Sequence, residues 1–134
     1  MTDRLHRKKN ILIVDDDLLI AESSRFLLTK SGFSVVGIAL NGQQAIEFAK
    51  QKCPDLILMD INLGDSIDGI TTAQEIQKFA DYPFIFLTAY SDPETVERAK
   101  KVGPFGYLIK PFDNRELIVS IETTLSNYET DNQT

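Results

Sequence analysis

The sequence predicts one α/β domain, a doubly wound five-stranded parallel sheet flanked by five helices. Three observations lead there. Five short apolar runs alternate with five longer segments of helical period. The runs lack the polar alternation of a one-sided sheet, so they suit strands buried on both faces. The chain has 134 residues, which is room for one domain.

Each element follows in order along the chain. Ile11–Val14 is the first strand. Leu19, Phe26 and Leu27 then share a helical face, and Ser31-Gly32 ends that helix because glycine accepts the left-handed cap without strain. Ser34–Ala39 is the second strand, and Ala45, Ile46 and Ala49 form the second helical face, stopped by Pro54. Leu56–Met59 is the third strand. Ile70, Ala73 and Ile76, with Thr72 and Gln77 beside them, form the third face, stopped by Pro83. Phe84–Leu87 is the fourth strand.

Asp92-Pro93-Glu94 starts the fourth helix, with proline in the first turn and acids at the positive end of the dipole. Only Val96, Ala99 and Val102 offer apolar contacts, so this helix should be the least firmly held. Phe105–Ile109 is the fifth strand. Asp113 caps a last helix in which Leu117, Ile121 and Leu125 recur every four residues. Alternation of this kind implies right-handed crossovers and helices on both faces of the sheet.

The domain should span 10–128. Residues 1–9, with Arg4, Arg7, Lys8 and Lys9 against Asp3, read as a flexible basic tail of net +3. His6 belongs to that tail, as a solvated residue or a contact to an acidic partner, and 129–134 read as a polar tail.

Composition removes several classes of function. A net charge of −6 argues against binding nucleic acid through the whole surface. No apolar run reaches the roughly 18 residues of a membrane span, and no secretory h-region follows the N-terminal cations. Cys53 is the sole cysteine, so an internal disulfide is impossible and a cytoplasmic location is expected. Before Pro54 it reads as a small packing residue.

In an open α/β sheet, ligands bind beyond the carboxyl ends of the strands. Asp15, Asp16 and Asp17 follow strand one, Asp60 ends strand three, Thr88 ends strand four, and Lys110-Pro111 ends strand five. Two carboxylates about 4 Å apart repel by roughly 4 kcal/mol at an effective dielectric near 20. Gathering Asp15, Asp16 and Asp60 therefore calls for a cation. Hard oxygen donors that leave room for water suit Mg²⁺, while zinc has no suitable ligands here. Asp60 could then act as a nucleophile toward a phosphoryl group, with Mg²⁺, Lys110 and the Thr88 hydroxyl sharing the phosphoryl oxygens.

Taken singly, these residues have plain structural readings. Asp17 could be a helix cap, Asp60 a loop cap, Thr88 a strand-end hydroxyl, Lys110 a surface charge and Tyr107 a core aromatic. Their joint placement at one sheet edge favours the chemical reading.

The segments Ile11-Leu12-Ile13-Val14-Asp15-Asp16, Leu56-Ile57-Leu58-Met59-Asp60, Asp68-Gly69, Phe86-Leu87-Thr88-Ala89 and Gly106-Tyr107-Leu108-Ile109-Lys110-Pro111-Phe112 resemble a response-regulator receiver domain of two-component signalling, over residues 10–128. The resemblance implies a flavodoxin-like, CheY-like strand order of 2-1-3-4-5. It implies that Asp60 is the phosphoacceptor and that Asp16 and Asp60 bind Mg²⁺ directly. Asp15 would act through a bound water, and Asn62 through its backbone carbonyl. It makes Thr88 and Tyr107 a switch pair, Lys110 the phosphoryl-binding lysine, and the bond to Pro111 cis.

The partners so implied are a sensor histidine kinase or phosphotransfer protein and a downstream protein target. The target would read the face made by the fourth helix, fifth strand and fifth helix. Neither nucleic acid nor membrane is expected as a direct partner, and a phosphorylation-dependent dimer stays open. With no output domain after residue 128, the chain reads as a stand-alone receiver or the N-terminal piece of a larger regulator. The segment from Asp60 to Gly69 is one residue longer than the family pattern, with Gly64 where a proline is usual, and Tyr90 is a bulky residue two beyond Thr88.

Two rivals are open at this level. A haloacid-dehalogenase-like phosphatase would use Asp15 as the nucleophile, but its acidic motif would have to follow Lys110, and no cap domain fits. A flavodoxin-like flavin binder needs a hydroxyl- or glycine-rich anion cradle after strand one, where this chain has three aspartates.

Overall fold

The computed structural model describes residues 8–64, 67–89, 93–103 and 106–133. Asp3, Arg4, His6, Arg7, Tyr90, Asp92 and Phe105, each singled out by the sequence, lie outside the described residues.

The elements alternate as expected: β1 (Asn10–Val14), α1 (Leu18–Lys30), β2 (Ser34–Ala39), α2 (Gly42–Lys52), β3 (Leu56–Asp60), α3 (Gly69–Gln77), β4 (Phe84–Thr88), α4 (Pro93–Val102), β5 (Gly106–Ile109) and α5 (Asn114–Gln133). All strand pairs are parallel, and the order is β2-β1-β3-β4-β5. Alternate strand residues feed two cores, as the two-residue period of a strand requires. Ile11, Ile13, Leu56, Leu58, Ile85 and Leu87 pack under α1 and α5. Leu12, Val14, Ile57, Met59, Phe84 and Phe86 pack under α2, α3 and α4.

Side-chain caps start α1, α2, α3 and α5. Asp17 accepts from the amides of Leu19 and Ile20, Asn41 from Gln44, and Asp68 from Thr71. Asp113 and Glu116 each accept the other's amide N–H, a reciprocal box that opens α5. Gly32, at φ +97, closes α1 as its sequence position required.

Four expectations need correction. The buried positions of α1 are Ala21 and Leu28; of the expected face Leu27 packs half-buried on the core, while Leu19 and Phe26 are 81% and 68% exposed. Leu19 and Phe26 form a second apolar stripe with the same seven-residue spacing, two residues out of phase with the buried one. The outer strands β2 and β5 are mostly half-buried, because each has a neighbour on one side only. Cys53 is exposed; it occupies the left-handed cap of α2 at φ 43, which points it out of the core. Finally, α5 runs to Gln133, past the expected boundary at 128, and Lys9 pairs with Glu129 at 2.7 Å.

Among the described residues no helix is long and apolar enough to cross a membrane.

Candidate functional site

The register of the sheet sets the site. Val14 pairs with Met59, so the chain positions that follow them, Asp15 and Asp60, come level at the carboxyl edge. Thr88 pairs with Ile109, so Lys110 leaves the sheet beside the end of β4, and its amide donates to the Thr88 carbonyl at 2.7 Å. The Lys110–Pro111 bond is cis.

Asp15, Asp16, Asp17, Ile20, Asp60, Asn62, Ala89 and Lys110 line one cleft of about 210 Å³ at this edge. A larger groove beside α5, about 460 Å³, is lined by Leu108, Val119, Ser120 and neighbours. Its acids, Asp113 and Glu116, are engaged in the helix cap, so the smaller cleft is the place for chemistry.

Each acid in the cleft has its own environment. Asp60 is 4% exposed; Oδ2 takes the Lys110 ammonium at 2.6 Å and Oδ1 accepts the Asn62 amide at 3.1 Å. Asp15 is 5% exposed and accepts the Asp17 amide at 2.9 Å. Asp17 spends its own carboxylate on the α1 cap.

Burial pushes the Asp60 carboxyl above its ordinary range, with the charge of Asp16 acting in the same sense, against the opposing pull of Lys110 and the Asn62 amide. Burial likewise raises Asp15, helped by the charges of Asp60 and Asp16, and opposed by the Asp17 amide and Lys110. The cleft is thus short of positive charge. Among the described residues no three carboxylate, histidine or thiol groups close on a common point tightly enough to hold a metal unaided.

The structure therefore brings Asp15, Asp16, Asp60, Asn62 and Lys110 together. Thr88 is buried at the end of β4, next to Ala89 of the cleft wall. Tyr107 pairs with Phe86, two positions before the Thr88–Ile109 pair, so Thr88 and Tyr107 share one sheet face. That face carries Phe84 and Phe86 and lies under α4, and Tyr107 packs half-buried against this core. Sequence reasoning missed Ile20, which reaches the cleft from the first turn of α1; Ala89, part of the quoted Thr88-Ala89 motif, also lines it.

The sequence matches the family described as response regulator receiver domain over residues 11–122. This chain is a receiver domain. It is 37% identical over 117 residues to the chemotaxis protein CheY of Bacillus subtilis, covering 87% of this chain and 97% of that one. It is 38% identical over 120 residues to the transcriptional regulatory protein PdtaR of Mycobacterium tuberculosis, covering 90% of this chain but only 58% of the relative. A solved structure, the N-terminal domain of a response regulator/sensory box/GGDEF three-domain protein from Carboxydothermus hydrogenoformans, superposes with a TM-score of 0.84 at 41% identity, covering 92% of this chain and 98% of that one.

Within this receiver domain, the loop after Asp60 explains its unusual glycine. Gly64 sits at φ +69 and donates its N–H to Asn62 Oδ1 at 3.1 Å. Proline can supply neither, since its ring fixes φ near −65° and it has no N–H.

Proposed function

We propose that this receiver domain takes a phosphoryl group from a histidine kinase or phosphotransfer protein onto Asp60 and later releases it to water. One observation carries the reading: the Lys110 ammonium lies 2.6 Å from Asp60 Oδ2 in a cleft walled by Asp15 and Asp16. The donor set fits Mg²⁺. In this cleft Lys110 faces three carboxylates, Asp15, Asp16 and Asp60, two of them buried and held above their usual range, and carboxylates with backbone carbonyls are hard oxygen ligands that let the ion keep its waters. Asp16, Asp60 and the Asn62 carbonyl would hold it directly and Asp15 through a water. When bound, the ion would neutralise phosphoryl oxygens and the anionic cleft.

In the transfer, the Asp60 carboxylate attacks phosphorus and the bond from phosphorus to the donor imidazole breaks; its electron pair stays on that ring nitrogen, and the imidazole leaves neutral because its other nitrogen already carries a proton. Lys110 neutralises charge on one phosphoryl oxygen, while the Thr88 hydroxyl and the Ala89 amide supply donors to another. Hydrolysis by water then returns the carboxylate and inorganic phosphate. Movement of Thr88 toward the phosphoryl group would free space for Tyr107 on the face they share, and α4, β5 and α5 would present an altered surface to a target.

A protein donor is supported by the exposed apolar residues of α1. Leu18, Leu19, Ile20 and Phe26 are all largely exposed, and Ile20 also borders the cleft. We place the domain in the cytoplasm, where kinase catalytic domains meet their substrates. The phosphatase reading fares worse, because the Lys110 ammonium contacts Asp60 and not Asp15, the nucleophile that reading needs.

Intact-mass measurement after acetyl phosphate with Mg²⁺ tests the proposal. The wild type should gain one phosphoryl group and Asp60→Asn none. An unlabelled wild type, or equal labelling of Asp60→Asn, rejects it.

A further inference from the structure

We propose that the ion pair between Asp68 and Arg98 is a latch that clamps α4 to the start of α3 and opposes the labelled state of Asp60. The coupling to Asp60 rests on the function proposed above; the clamp itself does not.

Asp68 is tied to the backbone beside Asp60. It caps α3, with Oδ1 accepting the Thr71 amide at 2.8 Å and its backbone carbonyl accepting the Thr72 hydroxyl at 2.8 Å. The next residue, Gly69, donates its amide to the Ile61 carbonyl at 2.7 Å. A Cβ at Gly69 would fall 2.2 Å from the Asp60 carbonyl oxygen, so the helix start rests directly on the backbone of Asp60.

The free oxygen of the cap reaches α4. Asp68 Oδ2 lies 2.8 Å from Arg98 Nη2, which is also 3.5 Å from Thr71 Oγ1. Burial alone would raise the Asp68 carboxyl, but the Thr71 amide and the Arg98 guanidinium hold it below its ordinary range, so it stays charged. Three other ion pairs, Arg25–Glu22, Lys78–Glu75 and Lys100–Glu97, join residues three apart along a single helix or its cap. Asp68–Arg98 joins two.

On its other side α4 is lightly anchored. Its buried side chains are Ala99 and Val102, and Gln77 of α3 donates to the Val102 carbonyl at 2.7 Å. These two polar ties, from Arg98 and from the Val102 carbonyl, run to α3, and α3 starts on Asp60. Because α4 covers the face shared by Thr88 and Tyr107, a helix held against α3 resists rearrangement on that face. By reciprocity, whatever labelling contributes to moving α4 it must spend on opening the pair.

The test uses the full chain in four forms: Arg98→Gln, Asp68→Asn, the double variant, and Arg98→Lys as a conservative rescue. Asparagine keeps the cap acceptor and removes only the charge. Amide hydrogen exchange without phosphodonor should quicken about two- to fivefold across residues 96–102 in either single variant, the range that a partly exposed ion pair supports. The double variant should exceed neither single, Arg98→Lys should recover part of the protection, and the amides of β1 and β3 should not change. Acetyl phosphate labelling of Asp60 should speed up about twofold or more in the same variants. Unchanged or additive exchange effects overturn the latch. Faster exchange with an unchanged labelling rate overturns its coupling to Asp60. If the wild type takes no label, the phosphoacceptor reading and the coupling fall together, and exchange alone still decides whether the pair clamps α4.

Discussion

The ammonium of Lys110 and the carboxylate of Asp60, fifty residues apart in sequence, meet at 2.6 Å in the cleft. This is a charge-assisted hydrogen bond at the short end of the normal range. It opposes the effect of burial on Asp60 and keeps a cation beside the atom that would attack phosphorus. Lys110→Ala removes both services. Labelling by acetyl phosphate and hydrolysis of the product should each slow by about tenfold or more, within the range for losing one preorganised donor. Stopped-time mass spectrometry measures both rates, and a variant as fast as wild type would contradict the role of Lys110.

Asp15 and Asp60 make stability depend on pH. Their folded pKa values are raised, so between the ordinary carboxylate value near 3.9 and the raised folded value the folded state binds more protons than the unfolded one. Stability from these groups is therefore complete below the unfolded value and is lost as pH rises through the folded one. Asp15→Asn keeps an acceptor for the Asp17 amide but carries no charge. In metal-free buffer it should melt higher than wild type at pH 7, with the difference vanishing near pH 4. Saturating Mg²⁺ should close the gap, since an ion at a hundred times its dissociation constant stabilises its site by about 2.7 kcal/mol. Melting curves with EDTA and with Mg²⁺ across this range check both signs.

How much of this was readable from sequence depends on the type of residue. Strand ends were legible because runs of four to six mostly apolar residues stop abruptly at Asp15, Asp60 and Lys110, and the sheet register then brings those stops level. The inward face of α1 was not. Leu19 and Phe26 form one stripe and Ala21 and Leu28 another, about 200° apart at 3.6 residues per turn, and hydrophobicity alone favours the bulkier pair. Packing chose the stripe in which a small Ala21 lets the helix approach the sheet. The Asp68–Arg98 pair joins side chains on separate helices, and nothing local in sequence announces it.

Two glycines separate crowding from backbone strain. At Gly69 a Cβ would meet backbone, the Asp60 carbonyl oxygen at 2.2 Å and Ile61 Cα at 2.9 Å. At Gly103 nothing lies within 4 Å, but φ is +74. Gly103→Ala should cost about 1–2 kcal/mol, the left-handed penalty of a Cβ. Gly69→Ala should cost about 3 kcal/mol or more, because the overlap involves backbone that cannot rotate away. It should also disturb Asp60 and slow labelling, which Gly103→Ala should not. Urea unfolding alongside labelling rates distinguishes the two, and equal costs would mean that the α3 start is not seated on Asp60.

The misassigned stripe of α1 supplies the final prediction. An apolar surface left open beside the proposed phosphoacceptor cleft has a ready use if the phosphoryl donor is itself a protein with an apolar helical face. Because Leu19 and Phe26 are exposed, replacing them removes little packing, and Leu19→Ser or Phe26→Ala should alter stability by no more than about 0.5 kcal/mol. Acetyl phosphate touches only the cleft, so its labelling of Asp60 should be unchanged. Transfer from the phosphorylated histidine domain of the cognate kinase should fall about tenfold, the scale of one interface hot spot losing 1–2 kcal/mol. Parallel time courses with the two donors read the difference. Equal loss with both would place these residues in the chemistry of the cleft, and no loss with either would leave the stripe without a role in docking the donor.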